Sequence, residues 1–117
     1  MALDPLMLSQ FTGTEHYYRL NRRCLITDGA KYLADEAGAY WLLDAAASYL
    51  LELGTSDWFV LVRLVVSESQ AVLFLEDGNG GIRASQQIPF TDFPLFEQVL
   101  YACWDGDHWV LMLPSEY

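Results

Sequence analysis

Apolar residues recur at three- and four-residue spacing between Thr27 and Gly54, and at every second position after Ser56. That change of period divides the chain into a helical block followed by strands. The block, TDGAKYLADEAGAYWLLDAAASYLLELG, reads as two helices. Thr27 or Asp28 is placed to cap the first, since a short side-chain oxygen accepts from the free N–H groups of an opening turn. Lys31, Tyr32, Leu33, Asp35 and Glu36 make it amphipathic, and Gly38 closes it in the left-handed conformation that glycine tolerates. The second helix, from about Ala39 to Leu53, is roughly 22 Å long. Its polar residues Asp44, Ser48 and Glu52 form one narrow stripe. A helix apolar around most of its circumference is a buried one, so it is expected to lie centrally on a sheet, with Trp41 and Leu42 in the contact.

The flanking segments supply that sheet. Asp4-Pro5 opens a short helix within Leu3 to Gln10, with proline at its first position. After a turn at Phe11–Thr14, residues 16–20 and 23–26 read as two short strands. Residues 58–66 are apolar at both parities with Arg63 as the sole charge, the pattern of a central strand covered on both faces. Residues 70–76 follow, and Asp77-Gly-Asn-Gly-Gly is a hairpin turn. In the strand 82–88, Ile82, Ala84 and Ile88 are expected to point inward and Arg83, Ser85 and Gln87 outward. Pro89 to Pro94 is an irregular connection, and residues 96–104 and 108–113 form a last hairpin ended by Pro114. With no repeat and no linker, residues 1–117 are expected to form one α+β domain. Its plan is a mostly antiparallel sheet of five to seven strands, with the central helix and shorter helices on one face.

The apolar excess changes the picture of assembly. Hydrophobic residues make up 53% of the chain and aromatic residues 15%. One helical layer covers one face of a sheet, so a two-fold homodimer is expected, built on the uncovered sheet face or on the alanine side of the long helix. No apolar run reaches the ~18 residues of a membrane span, and the N-terminus lacks the basic region of a secretory signal. Cys24 and Cys103 make no disulfide framework and are expected to be reduced and packed in a cytoplasmic protein.

Charge narrows the partners. Sixteen carboxylates face six basic residues, giving a formal net charge of −10. Direct binding to nucleic acid is disfavoured, because phosphate contacts require Lys and Arg in numbers. A basic partner, or no role beyond solubility, fits better. Arg19, Arg22 and Arg23 form the one basic cluster and are expected to pair with the chain's own carboxylates.

Candidate chemistry is sparse. The two histidines, His16 and His108, each follow a carboxylate, but no close ligand spacing with Cys24 or Cys103 exists, so no metal site is assigned and no cofactor is expected. The Asp77 turn lacks the further acidic ligands and the closing Glu of a calcium loop. Acid–base chemistry has its best set in Glu15, His16, Asp28 and Asp44, and a carboxylate–histidine site of Glu15, His16 and Asp28 is the enzymatic alternative. The preferred reading is a non-catalytic interaction module with an acidic or aromatic surface, to which Tyr17, Tyr18, Arg19, Asp105 and Asp107 are assigned.

Four stretches carry a resemblance: FTGTEHYY at residues 11–18, TDGAKYL at 27–33, YWLLD at 40–44 and the closing LPSEY. They resemble a family of small uncharacterised bacterial proteins, often found on plasmids and other mobile elements. The resemblance spans nearly the whole chain and implies no catalytic residue. It implies a bacterial cytoplasm and an accessory role in mobile DNA, whose sharpest version is an acidic mimic of nucleic acid that occupies a basic protein.

Overall fold

The computed structural model describes residues 3–117; residues 1 and 2, which the reading of the N-terminus included, lie outside the described residues. The chain runs α1 (Pro5–Leu8), β1 (Tyr17–Asn21), β2 (Cys24–Thr27), α2 (Asp28–Ala37), α3 (Tyr40–Leu53), β3 (Phe59–Ser67), β4 (Gln70–Asp77), β5 (Ile82–Ile88), β6 (Glu97–Trp104) and β7 (Trp109–Met112). A 3₁₀ turn, Pro114–Glu116, follows. This is the expected α+β architecture: one sheet, mostly antiparallel, with the helices packed on one side.

Among the described residues the sheet has seven strands, in the order β1-β2-β7-β6-β3-β4-β5. The helical layer carries the chain from β2 across the sheet to β3. The slot left between them is filled by the β6–β7 hairpin, which sets β7 parallel to β2, while the other described pairs are antiparallel. β3 is central, flanked by β4 and β6 along its length.

Both long helices form for the reasons their sequence gives. Thr27 is the N-cap of α2, its hydroxyl oxygen accepting from the Ala30 N–H, and Gly38 closes the helix at φ 60°. The N–H of Ala39 returns to the Ala34 carbonyl, so α3 starts at once without a side-chain cap. Leu42, Leu43, Ala46, Ala47 and Leu50 of α3 are fully buried. They meet Val60, Val62 and Leu64 of β3, Leu73 and Leu75 of β4, Leu100 and Ala102 of β6, and Trp109 and Leu111 of β7 in one core. The two small alanines bring the helix close to the sheet, and each buried leucine contributes about 2 kcal/mol of transfer free energy. Asp44, Ser48 and Glu52 face solvent as a stripe.

Three local expectations need correction. β3 is covered on one face only: Phe59, Leu61 and Val65 lie on the side away from the helices and outside the core. Trp41 is half-buried beside a fully buried Leu42, because it sits at the flank of the helix–sheet contact. Ala84 and Ile88 do pack on the core, but Ile82 lies beyond the irregularity between Leu75 and Glu76 and is exposed.

Candidate functional site

Two features stand out from this frame: a polar node at the start of α2, and the open face of the sheet. The node gathers three segments that are distant in sequence. The first N–H groups of an α-helix have no partner within it. In α2 each is met by a different side chain. Thr14 Oγ1 accepts from the Asp28 N–H at 2.9 Å, Glu116 Oε2 from the Gly29 N–H at 3.0 Å, and Thr27 Oγ1 from the Ala30 N–H at 3.2 Å. Glu116 Oε1 also accepts from the Thr27 hydroxyl at 2.6 Å and from the Leu113 N–H at 2.9 Å. A carboxylate at this position also meets the positive end of the helix dipole.

Asp28 extends the node to the segment before β1. Its Oδ2 accepts from the Glu15 N–H at 2.9 Å and the His16 N–H at 3.4 Å, and its Oδ1 from the Tyr18 hydroxyl at 3.0 Å. The Glu15 N–H is the main cause that holds the Asp28 carboxyl below the usual aspartate range, with the Tyr18 and Thr14 bonds adding to it against desolvation. Glu15, His16 and Asp28 are therefore brought together, but through main-chain groups of Glu15 and His16. The His16 ring is largely exposed, with Nδ1 3.8 Å from Asp28 Oδ1. What this arrangement does chemically is fix the chain: a carboxylate whose oxygens already accept three hydrogen bonds is a poor proton acceptor near neutral pH. Asp44 lies apart, on the exposed stripe of α3.

The residues assigned to a binding surface divide between the two sides of the sheet. Tyr18 points to the helical side and belongs to the node. Tyr17 and Asp105 line a groove of about 350 Å³ with Leu25, Cys103, Val110 and Met112, on the open side. Asp105 Oδ1 accepts from the N–H groups of His108 and Asp107 at 2.6 and 2.8 Å, and these bonds, the His108 one foremost, hold its carboxyl low. Asp107 is exposed beside His108. Arg19 sits opposite Leu25 in the sheet register. The expected pairing of the arginine cluster does not occur: among the described residues Arg19, Arg22 and Arg23 make no ion pair. The carboxylates that do meet a lysine or arginine are Asp35, Asp57, Glu76 and Glu97.

On the open face, Leu61, Val65, Val72, Phe74, Val99 and Tyr101 surround one ionic cluster. Arg63, in register with Val99 and Phe74, donates from Nε to Glu76 Oε2 at 2.8 Å and from Nη2 to the same oxygen. Its Nη1 lies 3.6 Å from Glu97 Oε2, and its guanidinium lies 5.4 Å from the Phe74 ring centroid. The final residue, Tyr117, turns onto this side and stacks edge-on against Phe59 and Tyr101, with centroids 5.6 and 5.5 Å apart. No reading of the sequence singled out Arg63, Glu76 and Glu97 as a group. The signal was present in the lone charge of an apolar strand.

The fold is an α+β domain: a seven-stranded sheet with helices packed on one side and partly exposed apolar side chains on the other. The chain belongs to a family of unknown function, DUF6876, whose pattern matches residues 6–117. No curated protein matches it. Among solved structures, it is similar to the crystal structure of a protein of unknown function from Enterococcus faecalis, at 14% identity and a TM-score of 0.50. That match covers 87% of this chain and 98% of the other and concerns the fold alone.

Proposed function

We propose that this chain is a non-catalytic protein-interaction domain with two binding surfaces. The open face of the sheet is one; the acidic helical layer, facing a basic protein partner, is the other. The observation that carries the reading is the open face, where aromatic and branched side chains outside the core stay partly exposed, as on a surface kept for a partner. The state of Asp28 favours this reading over an enzyme built on Glu15, His16 and Asp28. Among the described residues, Glu36, Asp44 and Glu52 on the helical layer face no lysine or arginine, and a surface field of one sign attracts partners of the other.

The reading requires no cofactor or metal, and a chain of net charge −10 is a poor ligand for nucleic acid itself. Its sharper form is an accessory protein of a mobile element that occupies a basic, nucleic-acid-binding protein in the cytoplasm. The test is capture of partners on immobilised protein at low and at high salt, comparing the wild type with Asp44→Lys/Glu52→Lys and with Val65→Asp. Basic proteins should be retained at low salt and lost on reversal of the two helical carboxylates. Capture indifferent to both surface variants would sink the proposal.

A further inference from the structure

The end of the open face where β3 begins holds a second groove, of about 510 Å³, lined by Asp57, Trp58, Phe59, Gly78, Asn79 and Tyr117 among others. Phe59, the most buried of the three rings, is its floor. The Trp58 ring stands 5.9 Å from it at 64°, and the Tyr117 ring 5.6 Å from it at 83°. Two steep aromatic walls on an aromatic floor make a trough. Tyr101 meets Phe59 and Tyr117 edge-on at 5.0 and 5.5 Å, which braces floor and wall together. Both walls are nonetheless open, Trp58 being 59% exposed and Tyr117 65%. Across from them Gly78 lies over Phe59 without a side chain: a Cβ built there would meet Phe59 Cδ1 at 3.8 Å.

Charge selects what such a trough takes. The faces of aromatic rings are electronegative and attract a cation placed over them. The rim adds to that attraction. Asp57 engages Arg83 through Oδ2, and among the described residues its Oδ1 accepts from no group. The turn that carries Gly78 and Asn79 opens at Asp77, whose Oδ1 accepts main-chain N–H groups of Asn79 and Gly81. Two carboxylates against one guanidinium leave the rim one negative charge in excess, in a chain of net charge −10. An anion would be repelled there, and an apolar side chain would leave the charge unused. Of the two cationic side chains, arginine fits better. A lysine ammonium is strongly hydrated, whereas a guanidinium is planar, weakly hydrated and stacks on ring faces. The open face already makes this contact once, with the Arg63 guanidinium 5.4 Å from the Phe74 ring centroid.

We infer that the trough takes an arginine side chain of a protein partner, its guanidinium between Trp58 and Tyr117 over Phe59 and its N–H groups directed at Asp57 Oδ1. This rests on reading the chain as an interaction domain for a basic protein, and names the side chain that the partner inserts. The probe is N-acetylarginine methylamide, titrated at millimolar concentration into the full chain and followed by NMR at the indole N–H of Trp58. N-acetylcitrulline methylamide has the same shape without the charge, and N-acetyllysine methylamide has the charge without the plane. The Trp58 signal should shift saturably with the arginine probe and bind the citrulline probe about tenfold more weakly, with lysine in between. The indole signals of Trp41, Trp104 and Trp109 should stay in place.

Gly78 lies outside the left-handed region and has room for a Cβ, so Gly78→Leu should fill the trough and leave the circular dichroism spectrum unchanged. Arginine binding should then fall about tenfold or more, as it should in Trp58→Ala, which removes one wall; Trp58→Phe should keep most of it. The comparison of arginine with citrulline needs no variant and decides the matter even if a variant fails to fold. Equal binding of the two overturns the cation site. Tighter binding of the lysine probe overturns the guanidinium. Shifts spread over the whole surface that vanish with salt show attraction by net charge alone and overturn the trough. Partner capture separates this inference from the reading beneath it. Basic proteins retained equally by wild type and Gly78→Leu, with no probe shift at Trp58, overturn the trough and leave the interaction reading standing. Capture lost in Gly78→Leu, together with a charge-specific shift at Trp58, supports both.

Discussion

Replacing Gly29 with alanine tests the account of the α2 node most directly. In an open helix this substitution stabilises by about 1 kcal/mol, because alanine loses less backbone entropy on folding. Here the new methyl group would lie 2.5 Å from Glu116 Oε1 and 2.7 Å from both Glu116 Cδ and Leu113 Cδ1. Leu113 is fully buried and has little room to move. Glu116 can withdraw only by giving up its bonds from Gly29, Thr27 and Leu113. Hydrogen bonds to a charged group contribute ~1.5–3 kcal/mol each, and they are not additive here because one carboxylate makes all three. Offset by the helix-propensity gain, the net expectation is a loss of about 2–4 kcal/mol, or roughly 4 °C in Tm per kcal/mol for a domain of this size. Urea melts of wild type, Gly29→Ala, Glu116→Ala and the double variant close a cycle. Once the Glu116 carboxylate is removed, the methyl group added at position 29 meets only Leu113. The double variant should then be more stable than the sum of the singles by at least ~1 kcal/mol. A Gly29→Ala protein as stable as the wild type, or a strictly additive cycle, would refute the packing of the C-terminal segment against α2.

Other expectations follow from the same structure. Leu42→Ala, at a fully buried helix position, should cost about 2–5 kcal/mol in a urea melt; a loss below ~0.5 kcal/mol would displace α3 from the sheet. Thr27→Ala removes both the cap on Ala30 and the hydroxyl on Glu116, for about 1–2 kcal/mol by the same assay, and should leave partner capture intact. Asp28, Asp35 and Asp105 have folded-state pKa values below their unfolded ones, so their contribution is complete above about pH 4–5 and is lost as pH falls through the folded values. Stability against pH should therefore drop on the acid side, and Asp28→Asn should make that limb shallower; an unchanged limb would contradict the hydrogen bonds assigned to it. Burial pushes the Cys24 thiol up to about 12, with the nearby Asp44 charge adding to it, so a thiol reagent at mildly alkaline pH should label Cys24 only after unfolding.

The helical half was legible because its determinants are local. Thr27, Gly38 and Gly54 bound the helices, and the apolar circumference of residues 40–53 required burial, whatever they met. Strand positions were legible from their period and their turns to within a residue or two. The node was not. Thr14, Thr27, Gly29 and Glu116 each look ordinary in sequence, and the capping of a helix start by the last residues but one is a contact across the whole chain that no local pattern encodes. Its members nonetheless fall in the FTGTEHYY, TDGAKYL and LPSEY stretches, whose joint presence the node explains physically. Strand order was hidden for the same reason: the slot that admits β7 beside β2 depends on how far the helical layer carries the chain before β3 begins.

The even apolarity of residues 58–66 shows where the limit lies. Sequence alone determined that β3 is central and apolar on both faces, since each parity is rich in branched residues. Only the tertiary structure decided that the helices cover one face, because they return to the same side, and that the other face carries Arg63 held between Glu76 and Glu97. A side chain's period fixes which face it takes; what covers that face is set by where the rest of the chain has gone.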